Sequence, residues 1–452
     1  MKRQIIFLLG FIFAAAPLAF AAVSGADHSE KHFTQTHHLS HDERYLTGDW
    51  KDERAKLSDK GIDFKSSYVF DVLGNPVGGN FQGMRYNHSM GLDINVDFEK
   101  ACGFKGSQFH VSGLWRAGRN LSSQVIGNEL VVSSIYGHQQ FRFYNLTWEQ
   151  MFLEDKFSIK FGRMAAQDDF IVSPLYWFFV TNAIDGMPIN IPKNFNFTVY
   201  PEATWGARVK LEIAPEFSSM TGIYNGNPHL GKDKYHGLDF GLRLSKGIFF
   251  MQEFNLTPKI KTNYCPEGLP GRVSVGGYWH TATYFDLYAD DNGASFAYTG
   301  NSARKRIGNY GFYAHIEQML FKEPSVEGAP EQGFIPFIAP NWAPGNINKY
   351  PFFVDGGFVW TGPIPGRDYD AAGIGVSYMA WSKDLTSTQE FQSDSGMSIH
   401  PGKYEMSVDF TYSAQITKWL FIQPDIQWII NPGGSPKIPD ALVVGSRFKI
   451  IF

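Results

Sequence analysis

The sequence predicts an all-β protein, a 16-stranded antiparallel transmembrane β-barrel preceded by a short N-terminal helix. Three observations support this: an N-terminal secretory signal, segments of about ten residues that alternate apolar and polar, and the last segment, "GSRFKIIF". In that segment Phe448, Ile450 and Phe452 share one face of a strand, and Arg447 and Lys449 share the other. A strand between lipid and a water-filled lumen has this pattern.

Residues 1–21 are predicted to be a cleaved signal peptide. Lys2 and Arg3 form a positive start, "IIFLLGFIFAAAPLAF" is the apolar region, and "AFA" at residues 19–21 is a small-x-small cleavage site. The apolar region is short for a membrane-spanning helix, which needs about 20 residues. We therefore expect the mature chain to begin near Ala22 and to be exported.

Composition favours strands and gives no sign of nucleic-acid binding. Aromatic residues make up 16% of the chain and there are 46 glycines, yet the mean hydropathy is −0.22. The formal net charge is −4, and about −6 without the signal, which excludes a basic nucleic-acid footprint. Cys102 and Cys265 lie in different predicted turns, so two free thiols are favoured over a disulfide between them.

Residues 22–45 are predicted to be a flexible leader that contains five histidines. A His-rich tract can bind a transition metal, but a solvated tail is the favoured interpretation. Residues 46–61 are predicted to form one amphipathic helix, with Asp49 as its N-cap and Gly61 just past its end. The histidines are His28, His32, His37, His38 and His41.

From Ile62 to Phe452 the hydrophobic pattern has a period of two residues, so that apolar and polar residues alternate. Segments such as "GLDINVDF" and "KYEMSVDFTY" place apolar residues on one face and polar residues on the other. Half-buried strands of a soluble sandwich would also alternate, but they would not gather aromatic residues at strand ends as a membrane girdle does. The predicted strands span residues 62–73, 89–98, 107–116, 141–152, 157–163, 203–213, 217–225, 247–257, 272–282, 309–321, 332–341, 351–360, 371–381, 403–413, 418–430 and 441–452. The predicted girdle residues are Tyr68, Phe70, Trp148, Trp279, Tyr378, Trp381, Trp419 and Trp428.

The predicted connections differ in length on the two sides of the membrane. Short turns belong to the periplasmic side of such a barrel and long loops to the outside. The segment 237–246 alternates well, but counting it would make the strand number odd, so we place it in an outer loop. The short turns include 99–106, 153–156, 214–216 and 414–417, and the long loops include 117–140, 164–202, 283–308 and 382–402.

Several motifs in order resemble the OprB-type carbohydrate-selective porins over nearly all of the chain after Leu46. They are "LTGDWKDERAKLSDKGIDF", "LGNPVGG", "GRNLSSQVIGN", "WEQMFLEDKFSIKFGR", "YPEATWGARVKLEIAPEF", "LPGRVSVGGYW", "QITKWLFIQPDIQWIINPGG" and "ALVVGSRFKIIF". The resemblance implies an outer-membrane barrel with a loop folded into the lumen as a constriction, and passive uptake of sugars.

The resemblance also implies a role for one arginine. In that family an arginine before the Asn-Leu-Ser stretch lines the pore eyelet, and Arg116 stands at this position. The alternation agrees, since Arg116 shares a phase with Gln108, His110 and Ser112. Trp115, where the family can carry an acidic residue, departs from the pattern.

A sugar-selective lumen needs forked donors, acceptors and an aromatic surface. For Arg116 a role in sugar binding is favoured; for Arg208, Glu149 and Asp169, binding and simple pairing across the wall remain open. Packing is the favoured role of the loop aromatics. The candidate donors are Arg116, Arg119 and Arg208, the acceptors are Asp71, Glu149, Asp169 and Glu202, and the aromatics are Tyr176, Trp177 and Phe178.

Two function classes remain: a sugar-admitting diffusion pore, and an outer-membrane enzyme or surface-binding barrel. We expect no enzyme and no cofactor, because no nucleophile–base pair, phosphate loop or CxxC pair is present. Expected partners are carbohydrates, outer-membrane lipids and, through Phe452, the barrel-assembly machinery of a Gram-negative bacterium. The chain can be a monomer or a trimer.

Overall fold

The structure is a computed structural model that describes residues 44–324 and 331–452. The predicted signal and most of the His-rich leader lie outside the described residues. The strands are β1 Ile62–Val77, β2 Gly83–Asp97, β3 Ser107–Gly118, β4 Phe141–Phe152, β5 Phe157–Met164, β6 Thr204–Ala214, β7 Phe217–Asn225, β8 Ile248–Leu256, β9 Lys259–Ile260, β10 Leu269–Asp290, β11 Ala303–Gln318, β12 Phe321–Lys322, β13 Gly333–Trp342, β14 Phe352–Thr361, β15 Ala371–Ala380, β16 Tyr404–Thr417, β17 Leu420–Ile430 and β18 Ala441–Ile451. The α-helical segments are Glu53–Asp59, Phe98–Cys102, Asn190–Asn194, Phe296–Thr299 and Lys383–Asp394.

The sheet closes on itself. Strand β1 pairs antiparallel with β2 on one side and with β18 on the other, so neither terminal strand leaves an open edge. Because β9 and β12 are two-residue segments in turns, sixteen strands form the wall. This confirms the predicted 16-stranded antiparallel barrel, and 237–246 lies outside the strands as expected.

Several strands are longer than predicted, β10 and β2 by the most, and in these two the alternation in the sequence is interrupted. β10 continues to Asp290, and its pairing with β11 shifts register between His280 and Thr283, which changes which residues share a face. β2 already begins at Gly83. His88 lies on the outward face of this strand and interrupts the row of apolar residues by which the start of the strand could be predicted. The predicted outer loop 283–308 is accordingly shortened to 291–302.

The N-terminal helix is shorter than predicted. It covers only Glu53–Asp59, and the preceding residue is Asp52, so the prediction of Asp49 as N-cap is wrong. The physical reason is that Trp50, Lys51 and Asp52 all have positive φ angles, which a right-handed first turn cannot contain. Gly61 follows the helix with φ +80°, as predicted for its C-terminal end.

Two further expectations are settled by the structure. Trp381 is buried, and its ring lies edge-on to Tyr350 with 4.9 Å between ring centroids, so its prediction as a girdle residue is wrong. It packs beside the outer loops that cover the strand ends.

Cys102 and Cys265 are both free thiols. Within the described ranges, no helix is long and apolar enough to cross a membrane.

The two long loops after β3 and β5 pack inside the barrel. We call residues 119–140 the first inserted loop and residues 165–203 the second. Their apolar side chains bury against inward-facing wall residues, and each fully buried large side chain contributes about 1.5–3 kcal/mol. The loops also bond to each other, from Ser134 N to Val180 O at 3.0 Å and from Asn182 N to Val131 O at 2.8 Å. The predicted lumen-constricting loop is thus confirmed.

Arg447 joins the barrel seam to both inserted loops. Asp71 and Arg447 stand directly opposite each other on β1 and β18, and the guanidinium donates to both carboxylate oxygens at 2.8 and 2.9 Å. It also donates to Ser134 Oγ of the first loop at 2.7 Å and to the Phe179 and Val180 carbonyls of the second at 3.3 Å. Asp71 is fully buried and Arg447 nearly so, which makes the pair expensive to break.

We predict that Asp71→Asn destabilises the barrel strongly. The substitution leaves the buried Arg447 guanidinium without its closest anion, which costs about 3–5 kcal/mol for a buried pair. The free energy of unfolding in urea, followed by tryptophan fluorescence, measures the effect. The control is Lys56→Gln, which breaks the exposed Lys56–Glu53 pair at 2.7 Å. Equal stability of the two variants would contradict the seam's proposed importance.

Candidate functional site

Glycines make room for the second inserted loop against the wall. Gly373 and Gly375 are successive inward-facing positions of β15. A Cβ atom at Gly375 would lie 2.3 Å from the Ile184 side chain and 2.8 Å from the Phe179 ring. Such contacts are too close for any heavier residue, so the loop can approach the backbone of β15 only because these side chains are absent.

Arg208, on β6, is fully engaged in pairing. Its guanidinium donates to Glu149 Oε1 at 2.8 Å, to Asp169 Oδ1 at 3.1 Å and to Ser158 Oγ. Lys160 Nζ reaches the same Asp169 carboxylate at 3.3 Å. Asp169 belongs to the second inserted loop, so these charges fix that loop to β4, β5 and β6. The structure therefore brings Arg208, Glu149 and Asp169 together in one buried network.

Arg116, on β3, is different because it has no carboxylate partner among the residues that the structure describes. Its guanidinium carbon lies 4.9 Å from the centroid of the Tyr200 ring, a cation–π contact. Its buried Nε atom has no hydrogen-bond partner. The side chain is only 5% exposed, with Gly137 of the first inserted loop close to one of its terminal nitrogens.

Arg116 lies near the outer end of β3, beyond the accessible part of its inner face. Along the inner face of β3, Gln108 is exposed and His110 half-buried, whereas Ser112, Leu114 and Arg116 are buried. The accessible end is the periplasmic one, where His110 accepts or donates a hydrogen bond with Asp93 at 3.0 Å. The buried end is covered by the first inserted loop. The guanidinium therefore lies among the covered residues of β3, next to the first inserted loop.

Tyr200 presents an aromatic surface beside this guanidinium. Its ring is 37% exposed and lies edge-on to Tyr144, with ring centroids 4.9 Å apart. Tyr144 in turn hydrogen-bonds Asp168, which holds the pair in place. Sequence reasoning missed Tyr200, because it lies just outside the "PLYWFF" stretch, and the single available signal was its position before Pro201 at the end of the loop.

The other predicted site residues are separate from Arg116. Arg119 is exposed at the outer rim beside Met84 and Tyr86. Trp177 is 55% exposed on the second inserted loop, next to Tyr176, which is fully buried and bonds His315 at 2.8 Å. Phe178 is partly buried against the same apolar cluster.

Asp71 and Glu202 are also engaged elsewhere. Asp71 pairs with Arg447 at the seam, as described above. Glu202 accepts from Arg142 Nη2 at 2.5 Å and pairs with His138, which also contacts Asp233 of the next outer loop. Burial lowers the pKa of His138, but its pairs with Glu202 and Asp233 outweigh this and raise the pKa. The imidazole therefore keeps its proton to a higher pH than a free histidine.

Glu405 is a second residue that sequence reasoning missed. Its carboxylate accepts from the backbone N–H groups of Glu129 at 2.9 Å, Leu130 at 2.6 Å and Gly433 at 2.5 Å. A carboxylate on β16 thus fixes the turn of the first inserted loop. The alternation identified Glu405 as a polar-phase residue, but no local pattern indicated a backbone partner about 275 residues away.

Comparison with known proteins gives the same architecture and a family. The family profile described as carbohydrate-selective porin, OprB family, matches residues 82–452. Porin B of Pseudomonas aeruginosa is 26% identical, covering 98% of this chain and 97% of that protein. A putative porin, QuiX, of Acinetobacter baylyi is 24% identical, covering 91% and 94%.

A solved structure, the high-pH structure of Pseudomonas putida OprB, is similar to this one with a TM-score of 0.84. It is 26% identical and covers 92% of this chain and 100% of that chain. The match of the family profile over most of the sequence, together with the closed 16-stranded barrel and its inserted loops, points to the outer membrane of a Gram-negative bacterium. The chain belongs to the OprB family of carbohydrate-selective porins.

Proposed function

We propose that the chain admits small, uncharged carbohydrates by passive diffusion, without chemical change, and that selection occurs where Arg116 faces Tyr200. The observation that carries the proposal is the uncommitted guanidinium. Arg142, Arg208 and Arg447 all pair with carboxylates, while Arg116 has no carboxylate partner among the described residues and lies over the Tyr200 ring. Its donors can therefore bind a passing sugar without breaking an ion pair first.

The chemistry of the two groups suits a sugar ring. A guanidinium offers forked donors to neighbouring hydroxyls, and the exposed part of the Tyr200 ring offers a flat apolar surface to the C–H face. A neutral sugar would bind this guanidinium through hydrogen bonds alone and leave quickly, whereas an anion would bind more tightly and leave more slowly. The pair thus combines recognition with release.

The expected affinity is low. Passage requires binding that recruits the solute but releases it quickly, which corresponds to a dissociation constant on the order of 1 mM, or about −4 kcal/mol. One charged hydrogen bond contributes about 1.5–3 kcal/mol and aromatic contact adds to it. These two groups are sufficient for such an affinity, so Arg208, Glu149 and Asp169 are assigned to holding the loop.

Assembly into the membrane is proposed to depend on the C-terminal strand. Phe452 follows Phe448 and Ile450 on the outward face, and Phe448 stacks on Phe70 with 4.6 Å between ring centroids. Arg54 Nη1 of the N-terminal helix donates to the Phe452 carbonyl at 3.2 Å, so this end is held in the folded barrel. We assign Phe452 as a contact for the barrel-assembly machinery, after export directed by residues 1–21.

We predict that the purified mature barrel forms open channels in planar bilayers and swells liposomes in sugar solutions. The polar inner face of β1–β3 gives water a continuous surface on the periplasmic side. Swelling rates with sugars of increasing size would give the exclusion limit. Well-folded protein that inserts repeatedly without conductance steps or swelling would favour the binding-barrel or enzyme alternative.

We predict that Arg116→Ala weakens the block of ion current by sugar while the barrel stays folded. Loss of one charged hydrogen bond in a wet pore costs about 1.5 kcal/mol, or roughly tenfold in the blocking concentration. Titration of sugar against single-channel current measures this.

The matched control is Lys65→Ala, which removes one exposed cation from the inward phase of β1, away from the constriction. Both variants remove one positive charge from the lumen. An equal loss of sugar block in the two would mean that Arg116 acts only through its charge, and would contradict a specific contact.

A further inference from the structure

The outer loop between β7 and β8 contains a stretch, residues 237–244, that we call the outer strap. Exposure alternates along it with a period of two, as in a strand, although it belongs to no strand of the sheet. The more exposed side chains are all large and apolar, and they are between 41% and 63% exposed: Leu238, Phe240, Leu242 and Leu244. The less exposed side consists of Gly237, Asp239, Gly241 and Arg243. A continuous apolar row of this kind on a protein surface marks an interaction site.

The outer strap lies against the outside of the barrel wall. Arg163, at the end of β5, shares the outward phase with the exposed Phe161 and stands opposite Trp205 of β6. The Arg163 guanidinium donates to the Asp239 carbonyl at 2.6 Å, and its carbon lies 5.0 Å from the centroid of the Phe240 ring. Trp205 Nε1 donates to the Phe240 carbonyl at 2.8 Å. Because Arg163 and Trp205 point away from the lumen, the outer strap covers the outward face of these strands.

Three neighbouring strands hold the outer strap by side chains at their outer ends. Arg163 belongs to β5, Trp205 to β6 and Asn225 to β7. The Asn225 amide donates to the Gly241 carbonyl at 3.2 Å and accepts from the Arg243 N–H at 2.9 Å. The polar side of the outer strap is therefore bonded to the wall, and its apolar side is directed away from the barrel.

The wall is low at the place that the outer strap covers. Strand β5 has 8 residues, whereas its neighbours β4 and β6 have 12 and 11. At about 3.3 Å per residue and a tilt of about 40°, β5 rises only about 20 Å, less than the apolar band of about 25 Å that a barrel needs. Beyond Leu146, where its pairing with β5 ends, β4 bonds to the outer loop instead, from Phe143 N to His236 O at 2.9 Å. The loop thus occupies the space that β5 leaves.

The outer strap also covers a cation on the lipid-facing phase. A charged side chain on this face destabilises a membrane barrel. Arg163 is nevertheless buried, because the carbonyls of Asp239 and, at 2.8 Å, Ala203 accept from its guanidinium and the Phe240 ring lies over it. The surface above β5 therefore consists of the apolar side chains of the outer strap and not of a guanidinium.

We propose that the outer strap lies in the outer leaflet of the membrane, with its four apolar side chains in contact with lipid acyl chains, and that it completes the wall above β5. Its apolar row continues the lipid-facing surface of β5 and β6, where Phe161 and Val209 are exposed. The inference rests on the outer-membrane location and is independent of which solute the lumen passes.

Fluorescence quenching in lipid vesicles tests the proposal. Cys102 and Cys265 are replaced by serine, so that the fluorophore nitrobenzoxadiazole can be attached to the single thiol of Leu242→Cys. Phosphatidylcholine brominated on its acyl chains quenches from the hydrocarbon, and iodide in the buffer quenches from water. We expect the label to lose the same fraction of its fluorescence to the brominated lipid as a label in Val209→Cys, an outward position in the middle of β6, and to be protected from iodide.

The aqueous control is Ser302→Cys, an exposed position of the outer loop before β11. Heat-modifiable mobility confirms that each labelled variant is folded. Iodide quenching in Leu242→Cys as strong as in Ser302→Cys would overturn the proposal, because the outer strap would then lie in water. Protection from both quenchers would also overturn it, because a second copy of the chain would then cover the outer strap in place of lipid.

Discussion

The Arg447–Asp71 pair is the contact on which the rest of the molecule depends. A barrel must join its first and last strands, and this one also has to hold two long loops inside a lumen that water enters. One guanidinium serves both purposes, because it faces Asp71 across the seam and reaches side-chain or carbonyl oxygens of both loops. A buried cation needs all of these acceptors, so closure and loop position are energetically coupled.

This coupling explains why most charged residues in the lumen hold loops in place, while few are available to a solute. Lys160 of β5 and Arg208 of β6 are committed to holding Asp169, and Glu405 is committed to holding the first inserted loop. Groups that are paired in this way would have to break ion pairs or hydrogen bonds before they could bind a solute. Arg116 has no carboxylate partner among the described residues and lies against the Tyr200 ring. Selectivity can therefore rest on very few groups, while most polar residues of the lumen are structural.

The alternation in the sequence was sufficient to predict the strands of the barrel wall, but not the contacts that hold the inserted loops against it. Period two identified sixteen strands, the inward phase of Arg116 and the apolar outward face ending at Phe452. It failed where a bulge shifts the phase, as after His280, and where an outward histidine interrupts the apolar face, as at His88. The helix start failed because positive φ angles at residues 50–52 have no strong sequence signal.

The roles of individual polar residues were harder to predict for another reason. Asp71, Arg447 and Glu405 act through partners hundreds of residues away, and only the register of a closed sheet brings them together. Arg119 was grouped with Arg116 by proximity in sequence, although β3 ends at Gly118 and Arg119 lies exposed at the outer rim. The pairing of strands, which one sequence does not specify, decides which charged residues meet across the wall and which hold the loops.

The most direct test of the coupling is the single-channel conductance of the double variant Asp71→Leu with Arg447→Met. Replacing both charges leaves neither seam residue as an unpaired ion. Asp185 of the second inserted loop loses its 3.5 Å contact with Arg447, which loosens that loop, and the barrel is expected to fold. Both inserted loops lose their shared anchor, and we expect a larger conductance with increased open-channel noise. A folded double variant with the conductance and noise of the unmodified protein would contradict the claim that the seam positions the constriction.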